Sequence, residues 1–180
     1  APIIADLPNG NKIVAQVTKQ GFVYVFDRET GMPVWPIEEK EVPQTDVPGE
    51  WTSLTQPIPK LPLPFERQGV TINDLIDYTP EIRNAVQKLI QNYRIGPLYT
   101  PPSIKNAPDG TNGTLSLPYA TGGANWEGSA LDPETGVLYI PSQTRIGLMQ
   151  LVNEPEKSDI EYISGTSPPP SVFGIPLVKP

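Results

Sequence analysis

The side chains that could carry chemistry in this chain are limited by two absences. The 180 residues include neither histidine nor cysteine. Without histidine the chain lacks the commonest general base and any Ser-His triad, and without cysteine it lacks disulfides, thiolate metal sites and thiol catalysis. Any chemistry must therefore come from carboxylates, lysine, arginine, tyrosine or a bound cofactor.

One short segment has residue types that suit a flat ligand. Asn125 and Trp126 are flanked by Gly122-Gly123 on one side and by Gly128 on the other. A carboxamide can donate to a carbonyl or carboxylate oxygen, and an indole can cover a flat ring. The glycines would let the backbone approach a planar ligand closely. The alternative is that Trp126 is a structural tryptophan packed between sheets.

A second candidate is a lysine in a tight connection between two strands. Lys19 is the first residue of Lys19-Gln20-Gly21, which has the length of a hairpin loop. An ammonium group can donate hydrogen bonds and stabilise negative charge on a neighbouring oxygen. The residue pattern alone predicts only an exposed hairpin lysine.

The charge distribution argues against nucleic acid and anionic membrane surfaces as partners. The net charge is −7, and the 13 basic residues are scattered, so nothing in the sequence could neutralise a row of phosphates. No apolar window is long enough to span a bilayer, and no signal peptide is recognisable. The chain opens on what looks like the interior of a strand, which predicts that it is an internal part of a longer protein.

Strands and turns dominate the predicted structure that must position these residues. The 24 prolines and 15 glycines favour short extended segments over helices. Residues 12–18 and 21–26 are rich in β-branched and large apolar side chains, which predicts two paired strands, the second buried on both faces. Met32 to Trp35 is predicted to form a further strand, with Trp35 as a buried anchor between sheets.

The turn pattern D-x-x-T-G occurs twice, at residues 27–31 and 132–136. The aspartate of each copy can accept backbone N–H groups two and three residues on, and the glycine can take the positive φ that closes the turn. Two such turns between strands favour a radial array of short-stranded sheets. The distance between the copies is explained if residues 36–112 are one insertion. Propeller strands would then occupy 1–35 and 113–152, followed by a proline-rich loop or tail in 153–180.

The predicted insertion contains one convincing helix, at about residues 80–95. Thr79 suits the N-cap, Pro80 the first helical position and Glu81 the first turn. Apolar residues recur at three- and four-residue steps from Ile82 to Tyr93, which predicts one face packed on a core.

Six stretches of the chain, taken in order, have a distinctive sequence. They are Gln16–Gly31, Pro43–Ser53 with Thr55-Gln56-Pro57 directly after it, Phe65–Thr71, Tyr99–Ser103, Gly122–Gly128 and Asp132–Gly136. In the same order they resemble stretches of membrane-type quinoprotein glucose dehydrogenases and their relatives, which use pyrroloquinoline quinone (PQQ), and the similarity covers about residues 1–152. The resemblance implies a mainly β fold, with about two blades of an eight-bladed β-propeller and a long insertion that contains one α-helix.

The same resemblance implies which residues face the cofactor. In the family, the lysine of this T-K-x-G context lies beside the quinone, and Lys19 occupies that position. Asn125 and Trp126 are implied to form one wall of the same site. The family's general base is an aspartate in a W-D-x-D-type segment that precedes the strand where this chain begins, so no catalytic residue is expected here. Ca²⁺, which generally accompanies PQQ, is expected to bind in blades outside the chain, so no metal ligand is expected either.

The resemblance finally implies a function for the longer parent protein. The parent is expected to oxidise a sugar or alcohol and to pass electrons from PQQ to an acceptor such as ubiquinone. It is expected to be periplasmic or periplasm-facing, with or without a membrane anchor, and the segment alone is expected to be inactive. Two alternatives are a non-catalytic propeller scaffold and a carbohydrate-binding module that stacks a sugar on Trp51 or Trp126. The open sheet edges of a partial propeller also predict pairing with a second copy.

Overall fold

The predicted N-terminal hairpin extends into a three-stranded antiparallel sheet. Its strands are β1 (Ile3–Asp6), β2 (Lys12–Val17) and β3 (Val23–Asp27), in the order β1-β2-β3. Side chains alternate across β2 and β3, so one face buries a row of small and β-branched residues. The other face of β3 is only half-buried, at Tyr24 and Phe26, which differs from the two-sided burial predicted for that strand.

The computed structural model describes residues 1–179, which divide into two units. The first unit comprises residues 1–41, 55–68 and 120–145, and the second comprises 42–54, 69–119 and 146–179. Each unit has its own apolar core. Among the described residues, no helix is long and apolar enough to cross a membrane.

The first D-x-x-T-G turn has the predicted geometry. Oδ1 of Asp27 accepts hydrogen bonds from the backbone N–H of Glu29 at 3.0 Å and of Thr30 at 2.7 Å, and from the Thr30 hydroxyl at 2.8 Å. Gly31 has φ +73°, and its N–H donates to the Asp27 carbonyl at 2.9 Å. The hydrogen bonds from Thr30 lower the pKa of the Asp27 carboxyl from its ordinary value.

The second copy of the turn repeats these contacts. Asp132 accepts hydrogen bonds from the Glu134 N–H at 2.9 Å and the Thr135 hydroxyl at 2.7 Å, and Gly136 has φ +73°. This turn joins the antiparallel strands Ala130–Asp132 and Val137–Tyr139. These contacts confirm the prediction of two equivalent turns. The turns are predictable from the sequence because each depends on contacts within five consecutive residues.

The predicted strand from Met32 to Trp35 is wrong. Only an isolated bridge joins Pro33 to Phe26, and it is held by two backbone hydrogen bonds, from Val34 to Val25 at 2.9 Å and from Asp27 to Met32 at 2.8 Å. The next hydrogen bond of the ladder would need an N–H at position 36, which Pro36 lacks, so the ladder stops there. Trp35 is nevertheless half-buried and packs against the core of the first unit.

The first unit also contains a two-stranded antiparallel sheet formed by Ile37–Glu41 and Thr55–Pro59. The core of this unit lies on the buried face of β1–β3. Its buried members are Ala5, Ile13, Ala15, Val17, Val23, Val25 and Ala124. Ala124 belongs to the segment predicted to contact a flat ligand, so this core supports that segment directly.

The second unit contains the predicted helix, α1, over Pro80–Ile90. The Thr79 hydroxyl caps it by accepting the Ile82 N–H at 3.2 Å. The helix ends before Tyr93, earlier than predicted, because the chain turns away to form a parallel bridge between Arg94 and Thr114. A short 3-10 turn, Ile72–Asp74, precedes α1.

The sheet of the second unit is built around Gly147–Val152. This strand pairs with Thr114–Ser116 and Ile163–Ser164 in antiparallel fashion and with Ser103–Ile104 in parallel. The buried face of α1 contributes to the core of this unit. The members of that core are Val70, Leu75, Ile76, Val86, Ile90, Leu115, Leu117, Leu148, Val172, Leu177 and Val178.

The stretch after residue 153, which was predicted as loop or tail, includes ordered packing. Besides Ile163–Ser164, it forms a two-stranded hairpin of Ser171–Val172 and Ile175–Pro176. Leu177 is completely buried. These strands are too short to produce an alternating sequence pattern. The prediction of a mainly β protein with one α-helix is confirmed for the described residues.

Candidate cofactor-binding site

The hairpin that carries Lys19 is closed by its own backbone. The Thr18 N–H donates to the Phe22 carbonyl at 2.9 Å, and the Gly21 N–H donates to the Thr18 carbonyl at 3.2 Å. Gly21 has φ +88°, a conformation that strongly favours glycine. Lys19 therefore lies at the exposed tip of a rigid turn.

Lys19 is attached at two points to a loop about a hundred residues later in the chain. Its carbonyl accepts the Gly123 N–H at 2.9 Å, and its Nζ donates to the Ala120 carbonyl at 3.1 Å. A Cβ placed on Gly122 would lie 2.7 Å from both Cβ and Cγ of Lys19. The stem of the lysine thus packs directly on the glycine backbone, and an ammonium with three N–H groups retains two for another acceptor.

Asn125 is held by its own loop. Its Nδ2 donates to the Thr121 carbonyl at 2.9 Å, and its Oδ1 accepts the Trp126 N–H at 2.9 Å. These bonds fix the orientation of the carboxamide and use one of its two N–H groups. The loop therefore holds Asn125 in place before any ligand binds.

Trp126 is not a packed structural residue within the described chain. Its side chain is 85% exposed and belongs to neither apolar core. An open cavity of about 220 Å³ lies beside Asn125. Glu127 also lines this cavity, together with Gly123, Ala124, Pro141, Ser142 and Gln143.

Two buried hydroxyl groups close to this loop lack a hydrogen-bond partner within residues 1–179. They are Oγ1 of Thr121 and Oγ of Ser129, which lie at the two ends of the glycine-rich segment. Both oxygen atoms are buried, so neither is exposed to a ligand that enters from solvent. An anionic, flat quinone needs cationic and neutral donors and an aromatic face. The ammonium of Lys19, the carboxamide of Asn125 and the exposed indole of Trp126 are groups of these types.

Sequence reasoning missed the carboxylate that lies between the hairpin and the loop. Glu66 accepts hydrogen bonds from the Ser142 hydroxyl at 2.6 Å, the Thr144 hydroxyl at 2.7 Å and the Arg67 N–H at 2.9 Å. Burial raises the pKa of the Glu66 carboxyl, but these hydrogen bonds outweigh it and leave the pKa below its ordinary value. Glu66 lies in a stretch that carries the family resemblance, but only the folded chain shows what it contacts.

The described residues contain no group of three or more acidic side chains arranged to hold a metal ion. The donor set that Ca²⁺ requires is oxygen-rich, with six to eight ligands.

Comparison with known proteins agrees with the resemblance drawn from the sequence. Residues 1–172 match the family model described as PQQ glucose/ethanol/alcohol dehydrogenase, β-propeller domain. The quinate/shikimate dehydrogenase (quinone) of Acinetobacter baylyi is 31% identical over 98% of this chain and 22% of its own length. The quinoprotein glucose dehydrogenase A of Acinetobacter calcoaceticus is 32% identical over 76% of this chain and 17% of its own length.

The glycerol dehydrogenase large subunit of Gluconobacter thailandicus is also similar, with 32% identity over 73% of this chain and 17% of its own length. The chain thus spans about a fifth of the length of the curated relatives it matches. No solved structure matches it significantly.

Proposed function

The chain belongs to the glucose/ethanol/alcohol dehydrogenase β-propeller family, and we propose that the protein containing it oxidises a hydroxyl group of a sugar or polyol with bound PQQ. One observation supports this most directly. The Lys19 hairpin is hydrogen-bonded to the loop that carries Asn125, so the two cofactor contacts implied by the family resemblance are neighbours in one unit. The PQQ, when bound, supplies the two-electron oxidation that no side chain of this chain can perform.

The residues of this chain have separate roles in the proposed site. The Lys19 ammonium donates hydrogen bonds to the quinone oxygens and stabilises negative charge there. The second N–H of the Asn125 amide donates to the same ligand, and Trp126 covers its flat face. All three bind and orient the cofactor, and the proton of the substrate hydroxyl goes to a base in another part of the protein.

The substrate class follows from what the similar proteins share. Their names refer to quinate or shikimate, glucose and glycerol, all of which carry several hydroxyl groups. We therefore assign this protein a polyhydroxylated substrate without choosing among the three. The similar protein of Acinetobacter baylyi has a quinone in its name, which supports a quinone such as ubiquinone as electron acceptor. A periplasmic or periplasm-facing location is part of the same proposal.

Reconstitution of the full-length protein tests the proposal. The apoprotein is incubated with PQQ and Ca²⁺, and reduction of an artificial dye is followed with glucose, glycerol and quinate. We expect dye reduction with at least one substrate, only when PQQ is present. A Lys19→Ala variant should lose most of this activity, whereas Glu134→Ala, an exposed glutamate of the same unit, should keep it. PQQ-independent activity, or none with any polyol, contradicts the proposal.

The isolated 180-residue chain is a further arm of that experiment. Because the proposed base and calcium ligands come from outside the described residues, we propose that this chain alone does not reduce the dye. Substrate turnover by the isolated chain would mean that a general base lies within it, and would refute the proposal that this chain alone is inactive.

A carbohydrate-binding module is the second candidate, favoured by one observation. Trp51 and Trp126 are each 85% exposed, and exposed aromatic rings can stack on sugars. This candidate requires the isolated chain to bind sugar. Titration of its tryptophan fluorescence with glucose and with glycerol decides the point, since an unchanged signal at millimolar sugar excludes it.

A further inference from the structure

Glu66 occupies the space between two glycines of the candidate site. A Cβ on Gly21 would lie 3.1 Å from the Glu66 Cβ, and a Cβ on Gly123 would lie 2.7 Å from its Cγ and 2.9 Å from its Cβ. Real Cβ atoms essentially never come closer than 3.0 Å to a neighbour, and an approach of 3.1 Å is tighter than most real contacts. The stem of Glu66 is therefore in contact with both the Lys19 hairpin and the loop that carries Asn125.

The carboxylate end of Glu66 is anchored on the opposite side. It accepts the Ser142 and Thr144 hydroxyls through separate oxygens, Oε2 and Oε1. Its lowered pKa keeps it ionised at neutral pH, when hydrogen bonds to it are strongest. Rotation of the side chain would break both hydrogen bonds, so the stem is fixed at its far end.

The residues next to Glu66 bind the same hairpin. The Phe65 N–H donates to the Gly21 carbonyl at 2.9 Å, and Nε2 of Gln68 donates to the Gln20 carbonyl at 2.7 Å. The loop is attached in turn, since the Gly123 carbonyl accepts the Gln143 N–H at 2.7 Å. Segment 65–68 is therefore hydrogen-bonded to the hairpin, and Gln143 is hydrogen-bonded to the loop. Glu66 links these two segments through its hydrogen bonds to Ser142 and Thr144.

We propose that Glu66 is a positioning residue that sets Lys19 and Asn125 at the correct separation for the cofactor. This inference rests on the proposed function, because it assigns Glu66 a role in the same site. Glu66 donates no hydrogen bond and carries the same sign of charge as the ligand, so its role is to align the donors. Loss of alignment by about 1 Å can lower activity by roughly a hundredfold.

The test uses the full-length enzyme reconstituted with PQQ and Ca²⁺. Glu66→Ala should lower the affinity for PQQ and kcat at least tenfold, with the KM for the polyol unchanged. Glu66→Gln keeps the aliphatic stem, and its amide oxygen can still accept a hydrogen bond from a hydroxyl of Ser142 or Thr144. This variant should therefore recover most of the PQQ affinity and most of kcat. Glu134→Ala serves as the matched control and should behave as wild type. If Glu66→Ala fails to fold, a Ser142→Ala/Thr144→Val variant provides the test. It leaves Glu66 in place but removes its hydrogen-bond donors, so it should also lower the affinity for PQQ.

A double-mutant cycle separates positioning from a general structural effect. If Glu66 acts through Lys19, Glu66→Ala should have little further effect in a Lys19→Ala background. Fully additive losses would overturn the proposal, as would wild-type PQQ affinity in both Glu66→Ala and the Ser142/Thr144 variant. A Glu66→Gln enzyme as impaired as Glu66→Ala would also overturn it, since charge rather than shape would then matter. Failure of the wild-type enzyme to bind PQQ would instead refute the proposed function.

Discussion

Gly123 offers a direct test of how tightly the candidate site is packed. Its φ lies outside the positive region, so an alanine there would not be strained by its backbone conformation. The new Cβ would instead lie 2.7 Å from the Glu66 Cγ. Neither side can move easily, because the Gly123 backbone is hydrogen-bonded to Lys19 and Gln143, and the Glu66 carboxylate to two hydroxyls.

Overpacking of this kind costs about 1–3 kcal/mol. We therefore expect Gly123→Ala to lower the free energy of unfolding of the 180-residue chain by that amount, measured by urea unfolding with tryptophan fluorescence. The same substitution should lower PQQ affinity in the full-length enzyme, because relief of the collision moves Glu66 or the loop.

Gly31→Ala is the matched control, since it separates strain from crowding. Gly31 has φ +73°, and a Cβ there would meet no atom within 4 Å. An alanine at this position should cost about 1–2 kcal/mol through its left-handed backbone, with PQQ affinity unchanged. Wild-type stability together with wild-type PQQ affinity in Gly123→Ala would show that a Cβ at this position does not collide with Glu66.

Three further predictions concern stability and carboxylate pKa values outside the site. Leu177→Ala should lower the free energy of unfolding by about 2–5 kcal/mol in urea, because Leu177 is fully buried; a neutral effect would contradict its place in the core. Arg94 donates hydrogen bonds to Asp46 through its two terminal guanidinium nitrogens, which lowers the pKa of that carboxyl despite partial burial. The stability from this pair is present above the unfolded-state pKa of Asp46 and is lost as the pH falls through its lower folded-state pKa. As the pH falls through this range, the free energy of unfolding should therefore decrease less for Arg94→Gln than for wild type. Identical dependence of the free energy of unfolding on pH in the two proteins would contradict the pairing. Asp27 and Asp132 should both titrate below ordinary aspartates by NMR, because hydrogen bonds from the following threonine stabilise each carboxylate; ordinary values would contradict the turn geometry.

Features that depend on neighbouring residues were predictable from the sequence. The D-x-x-T-G turns and the Thr79 cap of the helix involve contacts within a few positions, so residue type and spacing specify them. The strand predicted through Trp35 does not form because Pro36 has no N–H to continue the backbone ladder beyond the bridge at Pro33. The burial of Leu177 was not predictable, because the strands before it are only two residues long and its packing partners are distant in sequence.

The candidate site was predictable only in part. Family resemblance singled out Lys19, Asn125 and Trp126, and their roles as cofactor contacts stay predictions. No local pattern could indicate that Glu66 would meet Ser142 and Thr144, which follow it by more than seventy residues. A lone glutamate in a polar stretch looks like any solvated residue until the fold brings its partners to it.

A single turnover without dye tests directly whether PQQ bound to this protein oxidises a polyol. The full-length protein loaded with PQQ and Ca²⁺ is mixed with an oxidisable polyol under anaerobic conditions, and the absorbance of oxidised PQQ is followed. We expect this absorbance to disappear and one carbonyl product to form for each PQQ bound. Unchanged PQQ absorbance in a loaded protein, or product formed without any change in it, would contradict the assignment of this chain to a PQQ-dependent polyol dehydrogenase.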